Sequence, residues 1–317
     1  MATLTISAED EKKVKARGFL SNKGTDNFSG RIITVNGKIT AEQQKVIGEA
    51  AEKFGNGIVT FTTRLTIEVQ GIPYDKIDEF CEYIGKAGLV TGGTGSKVRP
   101  VVACKGTTCQ YGLLDSFELS EEIHHRFYEG YRQVLLPHKF KIAVGGCPNN
   151  CVKPDLNDLG IIGQRIPNYD EDDCNGCKKC AVEKVCPVNA AKMVDGVMEI
   201  DKDICNNCGR CVGKCPFDCI EDGTYGYKIY IGGRWGKKVA QGQALSKVFT
   251  NKEEALSVIE KAILLFREQG QTGERFAKTI ERLGFENVEK QLLSDDILAR
   301  KQEILDAKLH LTGGATC

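Results

Sequence analysis

The chain has no surplus of either charge. Its 43 lysines and arginines balance 43 aspartates and glutamates, which removes the long-range attraction that would favour nucleic acid or an anionic membrane surface. No apolar run approaches the roughly 18 residues expected of a membrane span. The start, Met1-Ala2-Thr3-Leu4-Thr5-Ile6-Ser7, has neither a basic n-region nor an apolar h-region, so a cytoplasmic chain is expected rather than an exported one. There is no CxxCH for c-type haem attachment. The glycine-rich stretch Thr91-Gly92-Gly93-Thr94-Gly95-Ser96 lacks the strand–GxGxxG–helix setting of a dinucleotide site and reads as a connector. Hydrophobic content of 41% is ordinary for a folded chain, and 317 residues suffice for two or three domains.

What the chain has in quantity is cysteine, fifteen in all. In a reducing compartment such thiols serve metal ligation more than cross-linking. Cys174-x2-Cys177-x2-Cys180-x5-Cys186-Pro187 is followed by Cys205-x2-Cys208-x2-Cys211-x3-Cys215-Pro216. Two-residue gaps let three thiolates hold three corners of one cubane, while the distant fourth cysteine serves the other cluster. Cys174, Cys177, Cys180 and Cys215 are therefore assigned to one [4Fe–4S] cluster, and Cys205, Cys208, Cys211 and Cys186 to a second. Zinc ribbons also use C-x2-C, but they pair cysteines two and two rather than three in a row. Cys104-x4-Cys109 with Cys147-x3-Cys151 forms a third group, which on spacing alone suits zinc as well as a cluster. Cys81, Cys219 and Cys317 read as structural or incidental thiols.

Strand and helix signals alternate from Ser29 to about Gly92. Arg31 to Val35 reads as a strand, Thr40-Ala41-Glu42-Gln43 as a capping box, Ile58 to Val69 as a strand, and Asp75 to Ala87 as a helix. A second α/β region follows, with Ser120 expected to cap a helix to about Arg132 and a strand from Phe140 to Val144. His124 and His125 lie on that helix as structural residues. After a cysteine-rich interruption, a strand resumes from Tyr225 to Ile231 and ends in Gly232-Gly233-Arg234-Trp235-Gly236. Asn251 caps a helix whose Leu256, Ile259, Ile263 and Phe266 share one face. A further helix from Glu274 should stop at Gly284.

Gly146-Cys147-Pro148-Asn149-Asn150-Cys151, answered upstream by Cys104 and Cys109, resembles the cluster site of the sulfite and nitrite reductases. In that family one cysteine, here Cys151, bridges a [4Fe–4S] cubane to the iron of siroheme. The family usually has five residues in the first gap, where this chain has four. Thr62-Thr63-Arg64-Leu65-Thr66 resembles its Thr-x-Arg-x-Thr strand, Val98-Arg99-Pro100 a second arginine, and Pro137-His138-Lys139-Phe140-Lys141 its Lys-x-Lys strand, whose period of two aims both lysines to one face. The resemblance implies that Arg64, Arg99, Lys139 and Lys141 bind the anion, and that Arg31 and Arg234 grip siroheme carboxylates, the Gly232-Gly233 turn permitting close backbone approach. At an effective dielectric of 20, one opposite charge at 4 Å is worth about 4 kcal/mol before desolvation, so such cations matter.

The resemblance is strongest to the anaerobic, dissimilatory-type sulfite reductases, and in particular to the siroheme-bearing subunit of the NADH-linked enzyme. It implies an α+β chain divided as follows: an N-terminal segment 1–28; a ferredoxin-like α+β half-domain 29–92; an α/β siroheme domain in two parts, 93–166 and 223–317, the second with C-terminal helices; and an inserted two-cluster bacterial-ferredoxin domain 167–222. The implied activity is six-electron reduction of sulfite to sulfide with siroheme and three [4Fe–4S] clusters. Implied partners are electron-donating reductase subunits or ferredoxin, in a homodimer or hetero-oligomer, because long members carry two copies of a unit present here once. Nitrite reduction is the alternative substrate reading, and a non-catalytic electron carrier the alternative class. The family's nitrite enzymes tend to carry asparagine at the second lysine of Lys-x-Lys, so Lys141 favours sulfite.

Overall fold

The computed structural model describes residues 6–309, so the first residues of the chain and Cys317 lie outside the described residues. Helix α1 (Ala8–Ala16) leads into β1 (Phe19–Ser21) and β2 (Asn27–Ile32). After α2 (Ala41–Phe54) come β3 (Val59–Phe61), β4 (Ile67–Pro73) and α3 (Ile77–Gly85). These strands form an antiparallel sheet in the order β1-β2-β4-β3. The alternation read from the sequence has a local cause at α2. Thr40 accepts from the Gln43 amide while the Gln43 side chain accepts from the Thr40 amide, and both bonds of the capping box are present. The apolar faces of α2 and α3 meet the sheet in a core that includes Phe19, Phe28, Ile47, Val69 and Phe80. Val14 of α1 joins that core, so chain upstream of Ser29 packs with this unit.

One sequence expectation fails here. Residues 58–69 do not make a single strand. They make a β3–β4 hairpin whose turn is the Thr62-Thr63-Arg64-Leu65-Thr66 segment. Hydroxyl bonding decides the matter. Thr62 Oγ1 lies 2.6 Å from Thr66 Oγ1 and accepts from the amides of Arg64 and Thr66, which closes the chain on itself. Leu65 takes φ +59°, held there by Thr34, whose hydroxyl donates to the Leu65 carbonyl.

The second unit is a mixed sheet of five strands. Strands β5 (Val102–Ala103), β6 (Ile142–Gly145) and β7 (Leu159–Pro167) run parallel; β10 (Gly223–Ile231) and β11 (Gln243–Phe249) continue antiparallel. Helix α4 (Ser116–Ile123) lies between β5 and β6. Its cap is Asp115, which accepts from the Glu118 amide at 2.8 Å, rather than the expected Ser120. Ser120 sits inside the helix and donates to the Phe117 carbonyl. His124 and His125 continue the helix in a wider turn, His124 buried against Tyr128.

Helix α6 (Lys252–Gln269) is capped by Asn251 as expected, and Leu256, Ile259, Ile263 and Phe266 are fully buried along it. Helix α7 (Phe276–Leu283) ends at Gly284, φ +85°. Phe140, Phe266 and Phe276 form an aromatic trio with centroids 5.2–5.9 Å apart. Burial of each ring contributes roughly 1.5–3 kcal/mol.

Strands β7 and β10 pair over nine residues, with Gly223 opposite Pro167. The cysteine-rich segment therefore leaves and re-enters at neighbouring points of one antiparallel ladder, an expanded hairpin loop. It holds α5 (Ala181–Val185), the hairpin β8 (Ala191–Val194) and β9 (Val197–Ile200), and its own small core around Val182, Met198 and Ile220.

Candidate functional site

Two hollows in the inserted segment are walled by cysteines. Cys186, Cys205, Cys208 and Cys211 line one; Cys174, Cys177, Cys180 and Cys215 line the other. These are the two crossed sets that the spacing predicts. Cys219, expected to be incidental, also lines the second hollow and is buried. Among the described residues no three His, Cys, Asp or Glu side chains close on one point as ligands of a single metal ion would. The four cysteines of each set stand in the wall of a common hollow. Backbone amides point at two of these sulfurs: Ala190 N lies 3.2 Å from Cys186 Sγ and Met198 N lies 3.3 Å from Cys174 Sγ. Cys81 is elsewhere, half-buried on α3 near Thr91.

The third cysteine group stands at the C-terminal ends of β5 and β6. Cys104 follows β5, and a single tight turn at Gly106–Thr108 carries the chain across the four-residue gap to Cys109. Cys147 and Cys151 follow β6, with Asn150 and Lys153 at φ +55° and +49° turning the chain sharply. Burial pushes the Cys147 thiol up, and Cys104, Cys151 and Cys109 lie near enough to push it further. Gly146 N donates to Cys104 Sγ at 3.1 Å, tying the two cysteine loops together. Of the twelve cysteines assigned from the sequence, Cys151 alone is exposed. Next to it, Asn150 Nδ2 donates to Asp155 while its buried Oδ1 has no partner.

At the opposite ends of the same strands lies a basic hollow. Arg31, Arg64, Arg99, Lys139 and Lys141 line it, with Thr62, Thr63 and Thr66 from the hairpin turn. Phe140 explains how two lysines reach it together. Its ring is fully buried in the aromatic trio, so its neighbours on either side project the other way. Lys139 and Lys141 precede β6 rather than lying within a longer strand, although Phe140 bridges Val98 in the β5 direction.

Arg64 reaches from the turn to the main sheet, donating to the carbonyls of Pro100 and Ile142 and to Asn157 Oδ1. Burial, with Arg99, Arg275 and Arg31 nearby, pushes its guanidinium down to about 9 against the pull of Asp158, which still leaves it charged at neutral pH. Burial likewise lowers Lys141 to about 8, assisted by Arg64 and Arg275. Arg31 is ion-paired with Glu68 at 2.6 Å, and both Arg31 and Arg99 donate to the Gly93 carbonyl. Arg234 does not line the hollow; it pairs with Ala240 across the turn after β10. The glycine beside it is needed for protein packing: a Cβ on Gly233 would stand 2.2 Å from the Asp155 carbonyl oxygen.

Sequence reasoning missed the residues that hold these in place. Asp158, fully buried, accepts from Arg275 through both oxygens at 2.9 and 2.8 Å and from the Lys141 amide at 2.9 Å. Asp155 accepts from Asn150 and from Gln241. The run of Asn and Asp from 149 to 158 is a signal for tight turns and side-chain acceptors. Arg275 offers none, since its partner is 117 positions away.

A half-domain facing a cysteine-bearing mixed sheet is the fold of the sulfite and nitrite reductases. Residues 94–298 match the family described as nitrite and sulphite reductase 4Fe-4S domain, and residues 21–87 match the nitrite/sulfite reductase ferredoxin-like half domain. The chain belongs to the nitrite and sulphite reductase 4Fe–4S family.

The chain is 33% identical over 247 residues to the coenzyme F420-dependent sulfite reductase of Methanocaldococcus jannaschii, covering 77% of this chain and 38% of that protein. It is 34% identical over 267 residues to an uncharacterized protein of the same organism, covering 84% and 91% respectively. One subunit of the anaerobic sulfite reductase of Salmonella typhimurium is 33% identical over 174 residues, 49% of this chain and 48% of that one. The chain thus spans less than half the length of two of these relatives. The crystal structure of dissimilatory sulfite reductase I shares the fold, with TM-score 0.66 and 22% identity over 84% of this chain and 69% of that one. Among the described residues no helix is long and apolar enough to cross a membrane.

Proposed function

We propose that this chain is the siroheme-bearing subunit of a sulfite reductase, carrying out six-electron reduction of sulfite to sulfide. The observation that carries the reading is the basic hollow, five cations drawn from four separate segments, set at the other end of the strands that bear the third cysteine group. Cys104, Cys109, Cys147 and Cys151 would hold a [4Fe–4S] cluster, and Cys151, the exposed one of the four, would also help to hold siroheme. Siroheme, when bound, supplies the redox chemistry at sulfur. Cys174, Cys177, Cys180 and Cys215, and Cys186, Cys205, Cys208 and Cys211, would hold the two clusters of an electron inlet.

The chain's own residues do the remaining work. Arg64, Arg99 and Lys139 bind the anion in a hollow whose partial burial strengthens each charge–charge attraction. Arginine offers a fixed fork of donors, whereas lysine changes charge more readily when desolvated. Lys141, lowered to about 8 by burial, would donate a proton to the oxyanion as it is reduced. Asp158 sets its backbone. Arg31 orders the Gly93 edge and, with Arg234, remains the candidate for siroheme carboxylates.

The test is anaerobic purification, an optical spectrum for siroheme, and turnover of sulfite with a reduced viologen donor. A folded, siroheme-loaded chain that leaves sulfite unchanged would favour the electron-carrier reading. Nitrite is the second substrate reading, supported by nitrite reductases among the relatives, such as the Bacillus subtilis enzyme at 24% identity. We further propose a homodimer or a complex with a flavin- or cluster-bearing subunit; light scattering at low concentration checks this, and a fully active monomer would overturn it.

A further inference from the structure

The two cysteine hollows of the inserted segment are not equivalent in their surroundings. Arg210, between Cys208 and Cys211, places its guanidinium 5.1 Å from the ring centre of Tyr111, two residues beyond Cys109. The same loop is clamped to the main sheet. Asn207 O accepts from the Arg165 amide at 2.8 Å, and Cys208 makes a parallel bridge with Arg165. Gly209, at φ +66°, lies so close that a Cβ would stand 2.7 Å from the Arg165 side chain. Two residues back along β7, a Cβ on Gly163 would stand 2.5 Å from the carbonyl oxygen of Gly146, the residue before Cys147. Contacts thus run without a break from this hollow to the third cysteine group.

Among the described residues the other hollow is walled from within the insert. Apart from cysteines, its walls include Val182, Met193, Met198 and Phe217, all from the inserted segment. Phe217 is 46% exposed at its edge.

We propose that Cys186, Cys205, Cys208 and Cys211 form the inner station of the electron relay and Cys174, Cys177, Cys180 and Cys215 the outer, donor-facing one. Tyr111 and Arg210 form the contact between the inner station and the cysteine group at 104–151. This order rests on the iron–sulfur reading proposed above. Each electron oxidises a one-electron iron–sulfur or flavin donor protein by one unit and reduces one cluster by one unit, with no bond made or broken. Short through-protein contact favours the inner position; the exposed Phe217 edge suits the outer.

The test uses the cluster-loaded full chain, reduced with dithionite and examined by EPR. Magnetic coupling to the inner cluster should broaden the signal of the cluster held by Cys104, Cys109, Cys147 and Cys151. That broadening should survive in Cys174→Ser and collapse in Cys205→Ser. The reverse pattern, or equal broadening in both, overturns the order. Should iron analysis find both inserted clusters lost in either variant, Arg210→Gln and Tyr111→Leu decide, since neither removes a ligand. Rapid-freeze EPR should then find electron arrival at the third cluster slowed several-fold, with iron content and resting spectra unchanged; an unchanged rate overturns the contact. A wild-type chain with fewer than three EPR-active clusters would instead overturn the cluster reading beneath it.

Discussion

The inserted segment and the basic hollow are built on opposite plans. In the insert, the four cysteines that wall each hollow come from a stretch of at most about forty positions, and three of each four fall within seven residues. In the basic hollow, residues 31, 64, 99, 139 and 141 arrive from both units and are held by Glu68, Asn157, Asp158 and an aromatic core. The first plan depends on local loops and on what they bind. The second depends on tertiary packing. The difference says where each will fail: loss of a ligand should injure the insert alone, whereas loss of a buried support should injure the hollow and the fold together.

The largest effect expected on that contrast is at Asp158. Asp158→Asn leaves Arg275 as an uncompensated buried charge and should cost about 3–5 kcal/mol of stability, read by denaturant titration. A loss well under 1 kcal/mol would mean the hollow is not tied to the core through this pair. On the insert side, the proposed three clusters and one siroheme, if every site is filled, would give about 13 iron atoms per chain. Cys174→Ser should lower that count while leaving siroheme absorbance intact; loss of siroheme in a folded variant would erase the distinction between the two regions.

Lys141→Asn removes one cation of the hollow and keeps a shorter donor. Sulfite carries more negative charge than nitrite near neutral pH, so the ratio of kcat/KM for sulfite over nitrite should fall roughly tenfold to thirtyfold, about 1–2 kcal/mol. An unchanged ratio would return weight to nitrite. Protonated Lys141 declines as pH rises through about 8, so kcat/KM for sulfite should fall there. Lys141→Arg should move that limb to higher pH.

At neutral pH the smallest effect is expected at His138, whose burial beside Lys139 lowers its imidazole to about 4. The unfolded chain takes up this proton near 6.5 and the folded chain does not. Stability from this group is therefore complete above about 6.5 and lost as pH falls from there towards 4. His138→Gln should flatten that part of the stability–pH curve, measured as a difference from the parent chain.

What can be read from the sequence divides along the same line. The Thr40 box, the Asn251 cap and the Gly284 stop are each decided within a few residues, and the structure has them; the crossed cysteine sets follow from motif spacing, and each set lines one hollow. The hairpin turn at Thr62–Thr66 escapes such a reading because its β-branched composition suits a strand, while side-chain hydroxyls close the turn. Asp115 takes the cap that Ser120, five positions later in the same helix, offers equally well by residue type. Arg64, Arg99, Lys139 and Lys141 can be named from resemblance, and they do line one hollow. Their supports cannot, because Asp158 and Arg275 meet only after β7 and α7 have packed.

Gly106 and Gly146 face each other across the two loops of the third cysteine group, and a Cβ on either would stand 2.8 Å from the other's Cα. Two missing side chains thus act as a gauge for the aperture between Cys104–Cys109 and Cys147–Cys151. The dimension of that aperture is written into the sequence as an omission, and lengthening or shortening either loop would leave it unaltered while these two backbones touch. An alanine at either position would wedge the loops apart from behind, with all four cysteines present and correctly spaced along the chain. Residues that contribute no ligand, charge or hydrogen-bonding side chain would then determine whether the four thiols can close on a common guest.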